Sequence, residues 1–283
     1  MKTTILINCP DQPGIISSVT SFIHSANGNI VYLDQHVDKS ADVFFMRLES
    51  EFNSEMFDPG VFKQRFQKEL AMSYNMKWSL YIDNIRPKMA LFVSKYNHCL
   101  YDILSRFYSG ELHVEIPFIL SNHPDLRYIA EQFDIPFYHI PFTKEIKEEA
   151  EQRQLELLES HKVDFIVLAR YMQIVGERLI NNFTNKIINI HHSFLPAFAG
   201  AKPYHAAFDR GVKIIGATSH YVTEELDAGP IIEQDVTTVS HNHAISDFIN
   251  KGRDLEKIVL SRAVKLHLHR KTMVYNNKTI IFS

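Results

Sequence analysis

Short β-branched runs alternate along the chain with stretches of helical apolar spacing, and the order of that alternation changes once. TTILINC (3–9) reads as a strand, and Pro10-Asp11-Gln12-Pro13-Gly14 as a turn opening a helix over IISSVTSFIHSAN (15–27). Asp11 is placed to cap that helix, with Pro13 near its first turn. Gly28-Asn29 ends it, and strands at 29–37 and 42–49 follow, joined by a hairpin at Asp38-Lys39-Ser40-Ala41. A helix at 58–72 and a strand at 75–82 complete a βαββαβ order, that of the split βαβ, ferredoxin-like sandwich.

Residues 84–87 form a linker between a first domain at 1–83 and a second at 88–283, where strands and helices take turns. Strands are expected at 88–94, 115–122, 137–140, 163–170, 213–222 and 230–236, with helices at 98–110, 125–133, 143–161 and 203–210. Helical stretches over 243–270 are interrupted at Gly252, and 274–282 closes as a hairpin turned at Asn276-Asn277. Such alternation predicts a Rossmann-like, mostly parallel α/β sheet whose ligands bind beyond the carboxyl ends of the strands. Those ends carry Ser94-Lys95-Tyr96-Asn97, Ser121-Asn122-His123, Ala169-Arg170-Tyr171-Met172 and Asn189-Ile190-His191.

The chemistry concentrates in 187–234. Asn189 and His191 are two residues apart on a strand and share a face, whereas His192 looks the other way. Farther on, Leu226-Asp227-Ala228-Gly229-Pro230 holds a carboxylate in a tight loop. An amide, an imidazole and a carboxylate that converge can donate to an oxyanion, shuttle a proton and orient a nucleophile.

A chain of 283 residues with 45% apolar content supports two ordinary domains. Its net charge of −3 comes without a Lys/Arg block, so neither nucleic acid nor an anionic membrane is expected as a partner. Cys9 and Cys99 are too few for a disulfide framework or thiolate metal site, and suit a reducing cytoplasm. Histidines 191, 192, 205 and 220 show neither the H-E-x-x-H spacing nor paired cysteines, so no metal is expected.

DQPGII within the βαββαβ order resembles an ACT domain. The resemblance implies a small amino-acid effector near Asp11, Gly14 and Ile15, and a homo-oligomer paired through sheet edges. Over about 87–283, the pattern Asn-x-His, Ser-x-x-Pro, a Gly-rich loop, His-x-Val-Thr and Leu-Asp-x-Gly-Pro resembles the formyltransferase-type folate enzymes. With an ACT-like front end, the nearest resemblance within that group is to its deformylating branch. It implies hydrolysis of 10-formyltetrahydrofolate to formate and tetrahydrofolate, with no cofactor beyond that substrate, and a role in balancing one-carbon pools and supplying formate for purine synthesis. Asn189, His191 and Asp227 stand at the positions of the catalytic trio. Arg170, Met172, Gln173, Ile174, Val175, His220, Val222 and Leu226 stand where the folate is held.

The loop Ser94–Leu100 has no glycine with which to cradle a phosphosugar, and Tyr96, His98 and Cys99 fill that space, which favours water over an amine as acceptor. Transfer to an amine and a catalytically silent folate sensor are the alternative functions.

Overall fold

In the computed structural model, which describes residues 1–143, 145–196 and 203–283, the chain divides into two compact units. Met1–Arg86 and Ile281–Ser283 form one, and Pro87–Ile280 the other.

In the first unit, β1 (Lys2–Pro10), α1 (Ile15–Ser25), β2 (Asn29–Asp38), β3 (Val43–Glu51), α2 (Pro59–Phe66), α3 (Met72–Tyr74) and β4 (Lys77–Ile82) give the expected βαββαβ order. A π-helical turn, Gln67–Ala71, joins α2 to α3. The sheet is antiparallel in the order β2-β3-β1-β4. One face of it is covered by an aromatic cluster in which Phe22 meets Phe62 and Phe66 edge-on at 5.3 and 5.2 Å, a geometry favoured by the ring quadrupoles. Asp58 caps α2 by accepting from the Gly60 and Val61 amides at 2.7 and 3.1 Å. The expected cap on α1 is corrected. Gly14, with φ +93°, is its N-cap and among the described residues no side chain caps it; the turn places the N-cap three residues past Asp11, whose own amide donates to the Asp42 carbonyl at 3.0 Å.

The second unit holds β5 (Met89–Val93), α4 (His98–Tyr108), β6 (Ile119–Ser121), α5 (Arg127–Gln132), β7 (Phe137–His139), α6 (Lys147–Ser160), β8 (Phe165–Leu168), α7 (Glu177–Asn182) and β9 (Ile187–His191). These are followed by α8 (Pro203–Arg210), β10 (Ile214–Tyr221), β11 (Ile231–Thr238), α9 (Ile245–Leu268), β12 (Thr272–Tyr275) and β13 (Lys278–Ile281). The large sheet runs β11-β10-β9-β8-β5-β6-β7. Strands β5 to β9 pair in parallel, and β10 and β11 add antiparallel. Strands β5 and β8 are buried throughout, as expected where helices cover both faces.

Two expectations change. The strand predicted over 115–122 forms only at Ile119–Ser121, with an isolated bridge from Glu115 to Lys88. Helix α9 is continuous through Gly252, where a Cβ would lie 2.1 Å from Cζ of Tyr204. That glycine costs about 1 kcal/mol of helix propensity and admits the Tyr204 ring.

Candidate active site

Strand β9 ends against a cleft of about 420 Å³. Asn189 and His191 face it from β9, His220 and Val222 reach it from the end of β10, and two loops, 170–175 and 222–227, close its sides. The register explains the grouping. His220 pairs directly with Asn189 across the β9–β10 ladder, which sets their side chains on one face.

The Asp227 loop is bent back tightly. Tyr221 donates its amide to the Pro230 carbonyl at 2.9 Å, and a Cβ on Gly229 would lie 1.8 Å from the Tyr221 carbonyl oxygen. Only glycine fits there. Asp227 itself adopts φ +55°, a left-handed conformation that aspartate tolerates, and so its carboxylate returns to the strand ends.

His191 Nδ1 lies 3.2 Å from Asp227 Oδ1, and His220 Nε2 lies 3.7 Å from the same oxygen. His220 Nδ1 is 3.0 Å from the Tyr221 carbonyl, which can only accept, so Nδ1 carries the proton. In the neutral ring, Nε2 then accepts from the Asn189 amide nitrogen at 3.2 Å. Because that nitrogen bears two hydrogens, one is left for a ligand. Among the described residues, the buried His191 Nε2 has no hydrogen-bond partner. The hydrogen bond from His191 is the chief cause that holds the Asp227 carboxyl well below the usual carboxylate range, against the opposing effect of burial.

Apolar contact comes from Met172, Ile174 and Leu226, which are 47, 62 and 65% exposed and line this one cleft together. Isolated exposed apolar side chains are ordinary, but three around one opening make a wall for a flat ligand. Loop 170–175 is tied to the sheet through Ser94, whose hydroxyl accepts from the Met172 amide at 2.9 Å and donates to Asn122 Oδ1 at 2.6 Å.

The structure therefore brings Asn189, His191, Asp227, Arg170, Met172, Gln173, Ile174, Val175, His220, Val222 and Leu226 together around one cleft. Asp11, Gly14 and Ile15 lie in the first unit at the β1–α1 turn, where Asp11 and Gly14 are exposed and Ile15 is core. His192, expected to look the other way, is also among the residues lining this cleft, and its ring meets the Tyr204 ring edge-on with centroids 5.9 Å apart. The Gly-rich segment at 197–202 lies outside the described residues.

Sequence reasoning missed a buried cluster beside the cleft, centred on Glu256, which is 1% exposed. His98 Nε2 and Arg170 Nε lie 2.8 and 3.2 Å from its Oε2, and the Tyr204 hydroxyl donates to its Oε1 at 2.5 Å. The available signal was periodicity, since Glu256 falls on the buried stripe of α9 with Phe248, Gly252, Val259 and Leu260. His98, Cys99 and Glu256 offer three metal-ligating atoms within 4.8 Å of one another, but the Arg170 guanidinium already compensates the carboxylate. Burial pushes the Cys99 thiol well above its usual pKa, the opposite of what a nucleophile needs.

The formyl transferase family matches residues 87–264, and the ACT domain family residues 3–54. The chain is 50% identical to formyltetrahydrofolate deformylase from Synechocystis, covering 100% of this chain and 99% of that one. Among solved structures it is similar to a formyltetrahydrofolate deformylase from Pseudomonas syringae, with TM-score 0.96 and 45% identity over 100% of this chain and 95% of the other. It is also similar to glycinamide ribonucleotide transformylase 1 from Symbiobacterium toebii, with TM-score 0.66 and 25% identity over 70% of this chain and 95% of the other.

Proposed function

Because this chain belongs to the formyltetrahydrofolate deformylases, we propose that it hydrolyses 10-formyltetrahydrofolate to formate and tetrahydrofolate at the β9 cleft. The observation that carries the reading is the 3.2 Å pairing of His191 with Asp227, two positions along β9 from Asn189. In the proposed reaction, the folate lies against Met172, Ile174 and Leu226, with Arg170, Gln173, Val175, His220 and Val222 completing its surround. Water adds to the formyl carbon, and Asn189 donates to the oxyanion that forms. The C–N10 bond then breaks, N10 takes a proton, and formate leaves.

A carboxylate held far below its ordinary pKa is a poor proton acceptor, which favours Asp227 as the group that orients His191 and stabilises its protonated form. His191, whose Nε2 has no partner among the described residues, is then the group that moves the proton. The first unit is read as a small amino-acid sensor that also pairs subunits into a homo-oligomer. The setting is read as the bacterial cytoplasm, with the formate passing to purine synthesis.

The test is to supply 10-formyltetrahydrofolate without any amine and follow both products. One formate per tetrahydrofolate supports hydrolysis. Turnover that begins only when an amine is added supports a transferase, and binding without turnover a sensor.

A further inference from the structure

The Asp227 loop is also held from a hairpin that takes no part in the proposed reaction. Strands β12 and β13 are joined by Asn276-Asn277, both left-handed with φ +45° and +58°, a turn that asparagine tolerates. From that turn the Asn277 side-chain amide donates to the Ala228 carbonyl at 2.8 Å, one residue past Asp227. At its start the same hairpin is tied to Tyr221, whose carbonyl packs on Gly229: Thr272 Oγ1 lies 2.8 Å from the Tyr221 hydroxyl. Asp227 needs such support. Its φ of +55° is disfavoured for a residue with a Cβ and has to be maintained by its surroundings.

The far end of the hairpin is anchored as well, within the first unit, to which Ile281–Ser283 belong. Ser283 donates its amide and its hydroxyl to Asp34 Oδ2, each at 2.9 Å, and its carbonyl accepts from the Tyr32 hydroxyl at 2.7 Å. Both partners lie on β2. The Ser283 amide is the chief cause that holds the Asp34 carboxyl below its usual range, so the anchor is a charge-assisted one at neutral pH. Between Asn277 and Ser283 run residues 278–282, four of which are the strand Lys278–Ile281, and an extended strand has little length to give. Each of these contacts lies within one unit, and the strand itself is the link.

We propose that the β12–β13 hairpin is a positioning arm for Asp227: Asn277 holds the carbonyl of the next residue, Ser283 fixes the arm on β2, and a change at β2 reaches the reaction through this strand. For its kinetic readout the inference rests on the hydrolytic reading of the Asp227 cleft.

The experiment compares the full-length protein with Asn277→Gly, Asp34→Ala and the double variant, following formate release from 10-formyltetrahydrofolate and amide hydrogen exchange over 223–229. Glycine keeps the left-handed turn and removes the donor. Asn277→Gly should speed exchange over 223–229 about five- to tenfold and lower kcat by a similar factor, while exchange in β5 and β8 stays unchanged. Asp34→Ala should move both readouts the same way, and the double variant no further than Asn277→Gly, because the two act in series. A loop whose exchange ignores either substitution overturns the proposal, as do effects that multiply in the double variant. Faster exchange throughout the protein overturns it too, since that marks general loosening instead of a local hold. If Asp34→Ala does not fold, Tyr32→Phe, which keeps the ring and loses the donor to Ser283, is read in the same way with the same overturning results. A parent that releases no formate overturns the hydrolytic reading, and loop exchange then still decides the role of the hairpin.

Discussion

Asp227 Oδ1 sits 3.2 Å from His191 Nδ1 although 36 positions of sequence separate them, and the link is made by a loop that only glycine at 229 permits. The carboxylate is held ionised chiefly by that contact, so its value lies in aligning and charging the imidazole. An Asp227→Asn variant keeps the shape and loses the charge. It is expected to fold, bind folate with little change, and lose about 10²–10⁴-fold in kcat. A kinetic comparison with the parent checks this, and a variant within threefold of the parent removes Asp227 from the mechanism.

Asn189 is braced by His220, which leaves one amide hydrogen for the oxyanion. Asn189→Ala should lower kcat by about 10²–10³-fold, with KM nearly unchanged, as for a donor engaged mainly in the transition state. A rise in KM at constant kcat would instead make Asn189 a ground-state binder.

Gly252 tests the packing beside the site. Alanine there gains about 1 kcal/mol of helix propensity but drives a methyl into the Tyr204 ring, at a cost of about 1–3 kcal/mol. Gly252→Ala should therefore denature at lower urea concentration than the parent. A more stable variant would show that Tyr204 moves aside freely.

Much of this arrangement was legible because its determinants are local. Asn-x-His on a strand and Asp before Ala-Gly-Pro each fix a side chain's direction within a few residues, and the βαββαβ order follows from element lengths. The Glu256 cluster was not legible, because residues 98, 170, 204 and 256 meet only in the folded chain. Gly252 misled for the same reason: its local propensity says helix breaker, and only the distant Tyr204 ring explains it. Asp11 had the right residue type for a cap, but the turn set by Gly14 at φ +93° took that place.

His267 predicts an acid limit to stability. Burial, followed by repulsion from Arg270 and Lys186, lowers its pKa from 6.5 to about 3, and its Nδ1 lies 2.8 Å from the Tyr221 hydroxyl. The ring stays neutral in the fold and takes a proton near pH 6.5 once unfolded, so its contribution is complete above that pH and is lost as the pH falls toward 3. Between pH 7 and pH 5 the loss is about 2 kcal/mol. Urea denaturation at the two pH values should show it, and His267→Asn, which does not titrate but can still bond the Tyr221 hydroxyl, should flatten the dependence. An equal slope in both proteins would assign the acid sensitivity elsewhere.

The central claim is that water is the formyl acceptor at the cleft where Asn189, His191 and Asp227 meet, and running the reaction in H₂¹⁸O without amine tests it most directly. Hydrolysis puts one solvent oxygen into each formate beside the original formyl oxygen. Singly labelled formate, formed one for one with tetrahydrofolate and lost in Asp227→Asn, is the predicted result. Unlabelled formate, or none until an amine is supplied, would contradict it.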